Sequence, residues 1–224
     1  MRFRTILIDP PWGKERGGGK ICRGAQAKYP LMPVKDIIAL PVKDIAEENA
    51  HLYLWTTNTC LPDALDCMRA WGFTYKTTIT WYKDGNIGLG QYFRGASEHC
   101  LFGVRGVLPY KILDGKRQQG VKCFSAPRGE HSEKPEVMRK MIERVSYDDY
   151  LEIFGRKQVP GWTVIGDAID GRDIRTAIKE LCKQIPKQSD MSFVNVTIPS
   201  EVEVDILTGH QTIPAGIRRP ARTA

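Results

Sequence analysis

Short apolar runs and amphipathic segments alternate along most of this chain, and this alternation is its clearest structural signal. Continuous apolar or β-branched runs are typical of buried strands, whereas apolar residues three or four positions apart predict helices. Strands are predicted at residues 2–8, 51–55, 75–81, 98–104, 150–154 and 162–166. Helices are predicted at residues 34–47, with a break at Pro41, and at 61–71 and 135–145. The alternation indicates an α/β fold in which helices cover both faces of one sheet.

The pattern changes after residue 170. Residues 171–185 predict a further helix, and residues 193–207 alternate like a β-hairpin. The tail at 214–224, which contains Pro and Arg, is predicted to be disordered. We therefore expect two domains, a main domain at residues 1–170 and a C-terminal appendage at residues 171–224.

Composition narrows the class of protein. The 224 residues, 42% of them hydrophobic, suffice for a sizeable core, and no run approaches the roughly 18 apolar residues of a membrane span. The first predicted strand begins at residue 2, so no signal peptide is expected. The six cysteines are scattered without a CxxC pair, which favours a reducing cytoplasm over a disulfide framework. Because the four histidines are also isolated, no metal site is predicted.

Positive charge is concentrated in two segments that look like loops. The chain has a formal net charge of +7, and residues 13–28 and 105–128 contain most of the excess of Lys and Arg. Basic loops on an otherwise near-neutral body favour contact with a polyanion such as a nucleic acid, although Lys and Arg are also simply common on exposed loops. The candidate nucleic-acid contacts in these segments are Lys14, Arg16, Lys20, Arg23, Lys116 and Arg117.

One short motif carries the strongest chemical signal. The residues Asp9, Pro10, Pro11 and Trp12 follow directly on the first apolar run. Asp9 can accept a hydrogen bond from an exocyclic amine, the Pro10 carbonyl can accept a second one, and Trp12 offers a face on which a base can stack. The alternative is structural, a strand that ends in a Pro-Pro turn followed by a core Trp. Spacing alone leaves both interpretations open.

The motif and those that follow it resemble a known family. In chain order they are Asp9–Trp12, Leu52–Trp55, Trp71–Phe73, Ile79–Lys83, Glu98–Leu101, Lys134–Glu136 and Glu152–Arg156. Together they resemble the adenine 6-amino methyltransferases typified by the catalytic subunit of the eukaryotic mRNA adenosine methyltransferase, over about three quarters of the chain. The resemblance implies a Rossmann-like fold that uses S-adenosylmethionine, with a mixed sheet and the catalytic strand before the cofactor strand.

The resemblance also implies roles for individual residues. By resemblance, Asp9, Pro10, Pro11 and Trp12 are catalytic, and Tyr29 lies near the substrate. The residues that would face the cofactor are Asp9, Lys134, Glu152, Arg156 and Asp167. Structural alternatives stay open: Lys134 as an ordinary helix start, Glu152 and Arg156 as a plain ion pair, Trp55 and Trp81 as core residues, and Glu98 as a cap.

The sequence departs from the family pattern in two places, and the resemblance favours one function over two alternatives. Asp167 stands where the family usually has Asn, and an acidic segment upstream of the motif is missing, so Asp167 or Asp170 would supply that contact or it is absent. The resemblance favours methylation of adenine in DNA, with RNA methylation or a non-catalytic nucleic-acid-binding role as alternatives. A homodimer in the cytoplasm of a bacterium or phage-infected cell is expected.

Overall fold

The main part of the chain forms one mixed α/β layer structure. The computed structural model describes residues 2–13, 31–85, 92–108, 110–129 and 133–184. Its strands are β1 (Phe3–Ile8), β2 (Ala46–Thr56), β3 (Thr74–Asp84), β4 (Ser97–Arg105), β5 (Ile112–Leu113), β6 (Lys116–Arg117), β7 (Cys123–Pro127), β8 (Tyr150–Ile153) and β9 (Trp162–Ile165). Its helices are α1 (Val34–Ile38), α2 (Val42–Ile45), α3 (Leu61–Ala70), α4 (Glu136–Val145), α5 (Asp167–Asp170) and α6 (Ile174–Lys183).

Seven strands form one sheet in the order β7-β3-β4-β2-β1-β8-β9. Strand β4 is antiparallel to both of its neighbours, and every other pairing in the sheet is parallel. The carboxyl ends of six strands and the amino end of β4 therefore lie at one edge, called here the carboxyl edge. In open α/β sheets, ligands bind at this edge.

Helices cover both faces of the sheet. On one face, α1, α2, α3 and α6 contribute buried residues such as Ile37, Met68 and Ile178 to a large apolar core. On the other face, α4 packs through Met138 and Ile142. The predicted mixed α/β fold with helices on both faces is confirmed. Trp55 and Trp81 lie in the α4-side core at 1% and 3% exposure, as the structural alternative held.

Two predicted boundaries are wrong. The helical segment predicted at 34–47, with its break at Pro41, consists of the two short helices α1 and α2. It ends two residues earlier than predicted, because β2 begins at Ala46, which pairs with Phe3 of β1. Strand β7 lies within residues 105–128, which the sequence predicts as loop. Its five residues are half-exposed or exposed, so their composition gives little signal for a strand. The strand is defined instead by its pairing with β3.

The chain divides into two units, Met1–Pro186 and Lys187–Ala224, and only the first contains described residues. Helix α6 belongs to the first unit, where Ile174 and Ile178 are part of the core, although the sequence groups this segment with the appendage. The hairpin and tail predicted beyond residue 190 lie outside the described residues. Within the described ranges, no helix is long and apolar enough to cross a membrane.

Candidate active site

Asp9 lies at the carboxyl edge, directly after the central strand β1. Its backbone N–H donates to the Ile153 carbonyl at 3.4 Å, which continues the ladder with β8. Pro10 and Pro11 have no N–H, so strand pairing ends there. The chain then turns, and the Trp12 N–H donates to the Pro10 carbonyl at 2.9 Å. The Pro-Pro turn of the structural alternative is thus present, and it projects the Asp9 side chain beyond the sheet.

Trp12 is held in place by its own contacts. Its indole N–H donates to the Trp55 carbonyl at 3.0 Å, and Trp12 forms an isolated bridge with Met32. The ring is partly buried against the core that α1 and α3 cover. The Pro10 carbonyl, expected to be free for a substrate, already accepts one hydrogen bond. A carbonyl oxygen has two lone pairs, so one acceptor position remains.

Lys134 connects Asp9 to a second carboxylate. Its Nζ lies 2.7 Å from Oδ2 of Asp9 and 3.5 Å from Oε2 of Glu98. Lys83 also pairs with Glu98, on the oxygen Oε1. The side chains of Lys83, Glu98, Lys134 and Asp9 thus form a continuous series of alternating charges at the carboxyl edge, called here the chain of charges. Each of the four is only 17–29% exposed.

Burial and pairing shift the pKa values of this chain of charges. Burial raises the pKa of Asp9 above its usual value, and the adjacent Lys134 ammonium offsets part of that effect. Burial disfavours the charge on Lys134, but Asp9 and Glu98 together raise its pKa. Burial alone would raise the pKa of Glu98, yet Lys134 and Lys83 lower it below its usual value. Lys134 therefore stays protonated, and Glu98 stays ionised, at neutral pH.

Two indole rings lie beneath the ammonium groups. Lys134 Nζ lies 5.4 Å from the centroid of the Trp55 ring, and Lys83 Nζ lies 4.8 Å from that of Trp81. The two rings meet edge to face at 6.2 Å. Such cation–π contacts stabilise partly desolvated cations by about 0.5–2 kcal/mol. The buried Trp residues therefore also support the charged site.

A cavity of about 490 Å³ brings the main predicted site residues together. This volume lies within the roughly 300–1,000 Å³ of cofactor and small-molecule sites. The sequence-predicted residues that line it are Asp9, Pro10, Pro11, Lys134, Arg156 and Asp167. The structure thus places the first strand end, the start of α4 and the ends of β8 and β9 around one space.

Close backbone approach shapes the cavity where β8 and β9 end. Phe154, which lines the cavity, has a left-handed backbone with φ of 68°, a conformation that costs a non-glycine residue on the order of 1–3 kcal/mol. Gly155 N–H donates to the Ile165 carbonyl at 3.0 Å, and a Cβ on Gly166 would collide with the Gly155 carbonyl oxygen. Glycine at 166 lets the two chain segments meet beside Arg156 and Asp167.

Glu152 has a different environment from its expected one. It is not among the described residues that line the cavity, and its Oε2 accepts a hydrogen bond from Arg139 of α4 at 2.7 Å. Glu152 pairs with Arg139 because strand alternation turns it toward the α4 face, next to Leu7 and Val164.

Of the basic candidates, only Lys116 and Arg117 are described; Lys14, Arg16, Lys20, Arg23 and Tyr29 lie outside the described residues. Lys116 and Arg117 form the exposed strand β6. The hairpin of β5 and β6 packs at the C-terminal end of α4, where Lys111 N–H donates to the Val145 carbonyl at 3.1 Å. Lys134 precedes the other end of this ten-residue helix, about 15 Å away.

The sequence indicates little about several residues at the site. From the sequence, Glu98 either faces the cleft or caps a strand start, and Lys83 is only part of a motif. The spacing of Trp81 and Lys83 places both on one face of β3, a signal that could have indicated the charge chain. Asp36 and Arg175, which pair at 3.1 Å, also line the cavity, and no sequence signal pointed to them.

The sequence was also compared with known proteins. A model of the MT-A70 family matches residues 3–168. The chain is 26% identical over 199 residues to the N(6)-adenosine-methyltransferase MT-A70-like protein of Drosophila melanogaster, covering 84% of this chain and 30% of that protein. It is 28% identical over 178 residues to the type II methyltransferase M.MunI of Mycoplasma sp, covering 72% of this chain and 75% of that protein.

The chain is also 26% identical over 182 residues to the human N(6)-adenosine-methyltransferase catalytic subunit METTL3, covering 76% of this chain and 29% of that protein. It therefore spans less than a third of the length of the two animal relatives, but three quarters of the length of the bacterial one.

Proposed function

Because this chain belongs to the MT-A70 family of methyltransferases, we propose that it transfers a methyl group from S-adenosylmethionine to the 6-amino group of adenine in DNA. The observation that carries this proposal is the single cavity lined by Asp9, Lys134, Arg156 and Asp167. An acceptor for the amine and cations for an anionic cofactor group face the same space. The relatives named as adenosine methyltransferases support the choice of the 6-amino group.

The role of Asp9 follows from the electronic structure of the substrate. The adenine amine is a weak nucleophile because its lone pair is delocalised into the ring. Asp9 and the remaining acceptor position of the Pro10 carbonyl can bind its two N–H groups and direct the lone pair out of the ring plane. Such positioning contributes up to about 7–11 kcal/mol in ideal cases.

The residues around the cavity fit the proposed cofactor. Lys134 and Arg156 offer positive charge to a carboxylate, and Gly166 leaves room where a Cβ would collide with backbone. When bound, S-adenosylmethionine supplies an activated methyl group: the amine lone pair forms the N–C bond, the C–S bond breaks with its electrons passing to sulfur, and one amine proton is released. In this proposal Asp9 orients the amine, and Lys134 and Arg156 orient the cofactor.

DNA is preferred over RNA as the substrate on one observation. The chain and the type II methyltransferase M.MunI cover about three quarters of each other, so the similarity extends over most of both sequences. An RNA substrate is the second candidate, favoured by the similarity to METTL3. A target adenine in duplex DNA would have to leave the stack at a cost of a few kcal/mol. Lys116 and Arg117 would contact the phosphate backbone.

The proposal includes the assembly and the compartment. We place a homodimer in the cytoplasm of a bacterium or phage-infected cell. Val107, Ile112 and Leu113 are more than half exposed around the β5–β6 hairpin, and apolar groups at a surface favour association. Sedimentation of the purified protein would test this part: a monomer at micromolar concentration contradicts it.

Methylation of matched DNA and RNA oligonucleotides with labelled S-adenosylmethionine tests the proposed function. We expect the wild-type protein to methylate adenine in DNA. The variant Asp9→Asn should lose about 100-fold or more in kcat, the scale on which one preorganised polar contact acts. Transfer to RNA alone would contradict the DNA preference. Binding of nucleic acid without any binding of S-adenosylmethionine would favour the non-catalytic alternative.

A further inference from the structure

The chain of charges at the carboxyl edge extends beyond the groups that the proposed reaction uses. Asp9 and Lys134 belong to the proposed active site. Lys83 and Glu98 come from the antiparallel pair β3 and β4, and neither lines the cavity among its described residues. Glu98 nevertheless pairs with Lys134 at 3.5 Å and with Lys83. A role for this second pair therefore has to act through Lys134.

Lys134 lies between two carboxylates that compete for it. Its Nζ is 2.7 Å from Asp9 and 3.5 Å from Glu98, so a movement of less than 1 Å toward Glu98 would exchange one partner for the other. Lys134 Nζ also lies 5.4 Å from the centroid of the Trp55 ring. Since the four charges sum to zero, such a shift leaves the net charge of the site unchanged.

Lys83 determines how strongly Glu98 competes. The β3–β4 ladder pairs Trp81 with Glu98, so Lys83 is the diagonal neighbour of Glu98 on the same face of the sheet. The Trp81 ring supports the Lys83 ammonium at 4.8 Å. Lys83 thus fixes Glu98 in place and takes up part of its negative charge.

On the basis of the proposed function, we propose that Glu98 and Lys83 are positioning residues for Lys134: Glu98 draws Lys134 away from Asp9 and so keeps the Asp9 carboxylate available for the substrate amine, and Lys83 limits this pull. A carboxylate held tightly by an ammonium is a weaker acceptor for a neutral N–H group. Glu98 reduces that hold, and Lys83 prevents Glu98 from taking Lys134 over completely. The resting site is therefore balanced between two ion pairs.

The two residues make opposite predictions for the ionisation of Asp9. The charged groups that face Asp9, among the described residues, are Lys134, Glu98 and Arg156. Glu98→Gln removes the competitor and a nearby negative charge, so the pKa of Asp9 should fall. Lys83→Met frees Glu98 to bind Lys134 more strongly, so the pKa of Asp9 should rise. Both shifts also follow from the charges that are removed, so the pKa shows that Asp9 senses both residues, and a fall in kcat of Glu98→Gln at pH values where Asp9 is ionised is what the positioning role adds.

Two measurements on the full-length protein test the proposal. The first follows the Asp9 carboxyl by carbon NMR as pH is varied, which needs no enzymatic activity. The second records kcat and KM for methyl transfer against pH. We expect Glu98→Gln to lower kcat about 100-fold, the cost of a misplacement of about 1 Å, with little change in KM for DNA. The acid limb of activity should move to lower pH in Glu98→Gln and to higher pH in Lys83→Met.

Conservative variants and an unrelated ion pair provide the controls. Glu98→Asp and Lys83→Arg keep the charges and should recover most of kcat. Asp66→Asn, which breaks the exposed pair with Arg69 on α3, should leave both measurements unchanged. Thermal melting identifies variants that fail to fold, and Lys83→Met then stands in for Glu98→Gln. An Asp9 pKa unchanged in the folded variants overturns the proposal, whereas absence of methyl transfer in the wild type overturns only the proposed function.

Discussion

The Nζ atom of Lys134 lies 2.7 Å from Oδ2 of Asp9, although 125 positions separate the two residues in the sequence. The contact joins the end of β1 to the segment before α4. It brings an acceptor for an amine and a cation for a carboxylate within one hydrogen bond of each other. The site therefore depends on the relative placement of the first strand and a helix that lies far along the sequence.

Replacement of Lys134 should weaken both cofactor binding and folding. Lys134→Met leaves Asp9 and Glu98 as neighbouring carboxylates without their shared cation. The loss of stability should lie between the ~1 kcal/mol of an exposed ion pair and the ~3–5 kcal/mol of a buried one. Calorimetric titration should show at least about tenfold weaker binding of S-adenosylmethionine, a loss of ~1.4 kcal/mol. Lys140→Met, on the exposed side of the same helix, is the matched control, and equal affinity in both variants would refute the assigned role.

Replacement of Glu152 tests whether this residue has a structural role or a cofactor-binding role. Its ion pair with Arg139 involves side chains that are 16% and 13% exposed. Glu152→Gln should therefore lower the free energy of unfolding in urea by about 1–3 kcal/mol. Affinity for S-adenosylmethionine should change less than threefold, or by less than about 0.7 kcal/mol. A tenfold loss of affinity with unchanged stability would instead support the contact with the cofactor that the family resemblance implies.

Gly166 should not tolerate even one methyl group. Its φ of 170° is extended backbone that any residue adopts, so the collision of a Cβ with the Gly155 carbonyl is the reason. Gly166→Ala should cost about 1–3 kcal/mol of stability and should also weaken cofactor binding. Gly95→Ala is the control because a Cβ there meets no atom within 4 Å. Identical melting temperatures for the two variants would count against the close approach.

His51 should make the protein less stable in mild acid. Its Nε2–H donates to the Leu108 carbonyl at 3.2 Å, so its Nδ1 accepts from Ser146, whose oxygen lies 2.7 Å away. Burial lowers the pKa of His51 below its usual 6.5, although the hydrogen bond to Leu108 partly offsets this. The unfolded chain therefore takes up a proton first as pH falls.

The free energy of unfolding should thus decrease from pH 6.5 down to the lower pKa of the folded state, where the His51 contribution levels off. Chemical denaturation between pH 7.5 and about 5 measures this slope. His51→Gln removes the titrating group and should flatten the slope in that range. A variant that keeps the full slope would show that another group is responsible.

Several elements were predictable because their signal is local. The apolar run of β1 and the amphipathic pattern of α3 are encoded in consecutive residues, and the ordered motifs identified the family correctly. Asp9 and Arg156 also meet for a local reason, since both follow parallel strands whose carboxyl ends lie at one edge. Lys134 lies before a helix, and the family resemblance alone predicts its place beside the cofactor.

The remaining features depend on pairing that spacing does not encode. The contact of Lys83 with Glu98 requires the antiparallel register of β3 and β4. The ion pair of Glu152 with Arg139 depends on the position of α4, which the spacing of residues along β8 does not encode. Strand β7 exists through its hydrogen bonds to β3, because its own residues lack a continuous apolar pattern.

The reversed direction of β4 has a consequence for how such enzymes diversify. Trp81 pairs with Glu98, and Lys83 N–H donates to the Ala96 carbonyl at 2.7 Å, so the ladder alone fixes both ends of the connection between β3 and β4. Insertions or exchanges within that connection would leave the charged pair in register. The connection can thus vary in length and sequence without displacing the Lys83–Glu98 ion pair at its base.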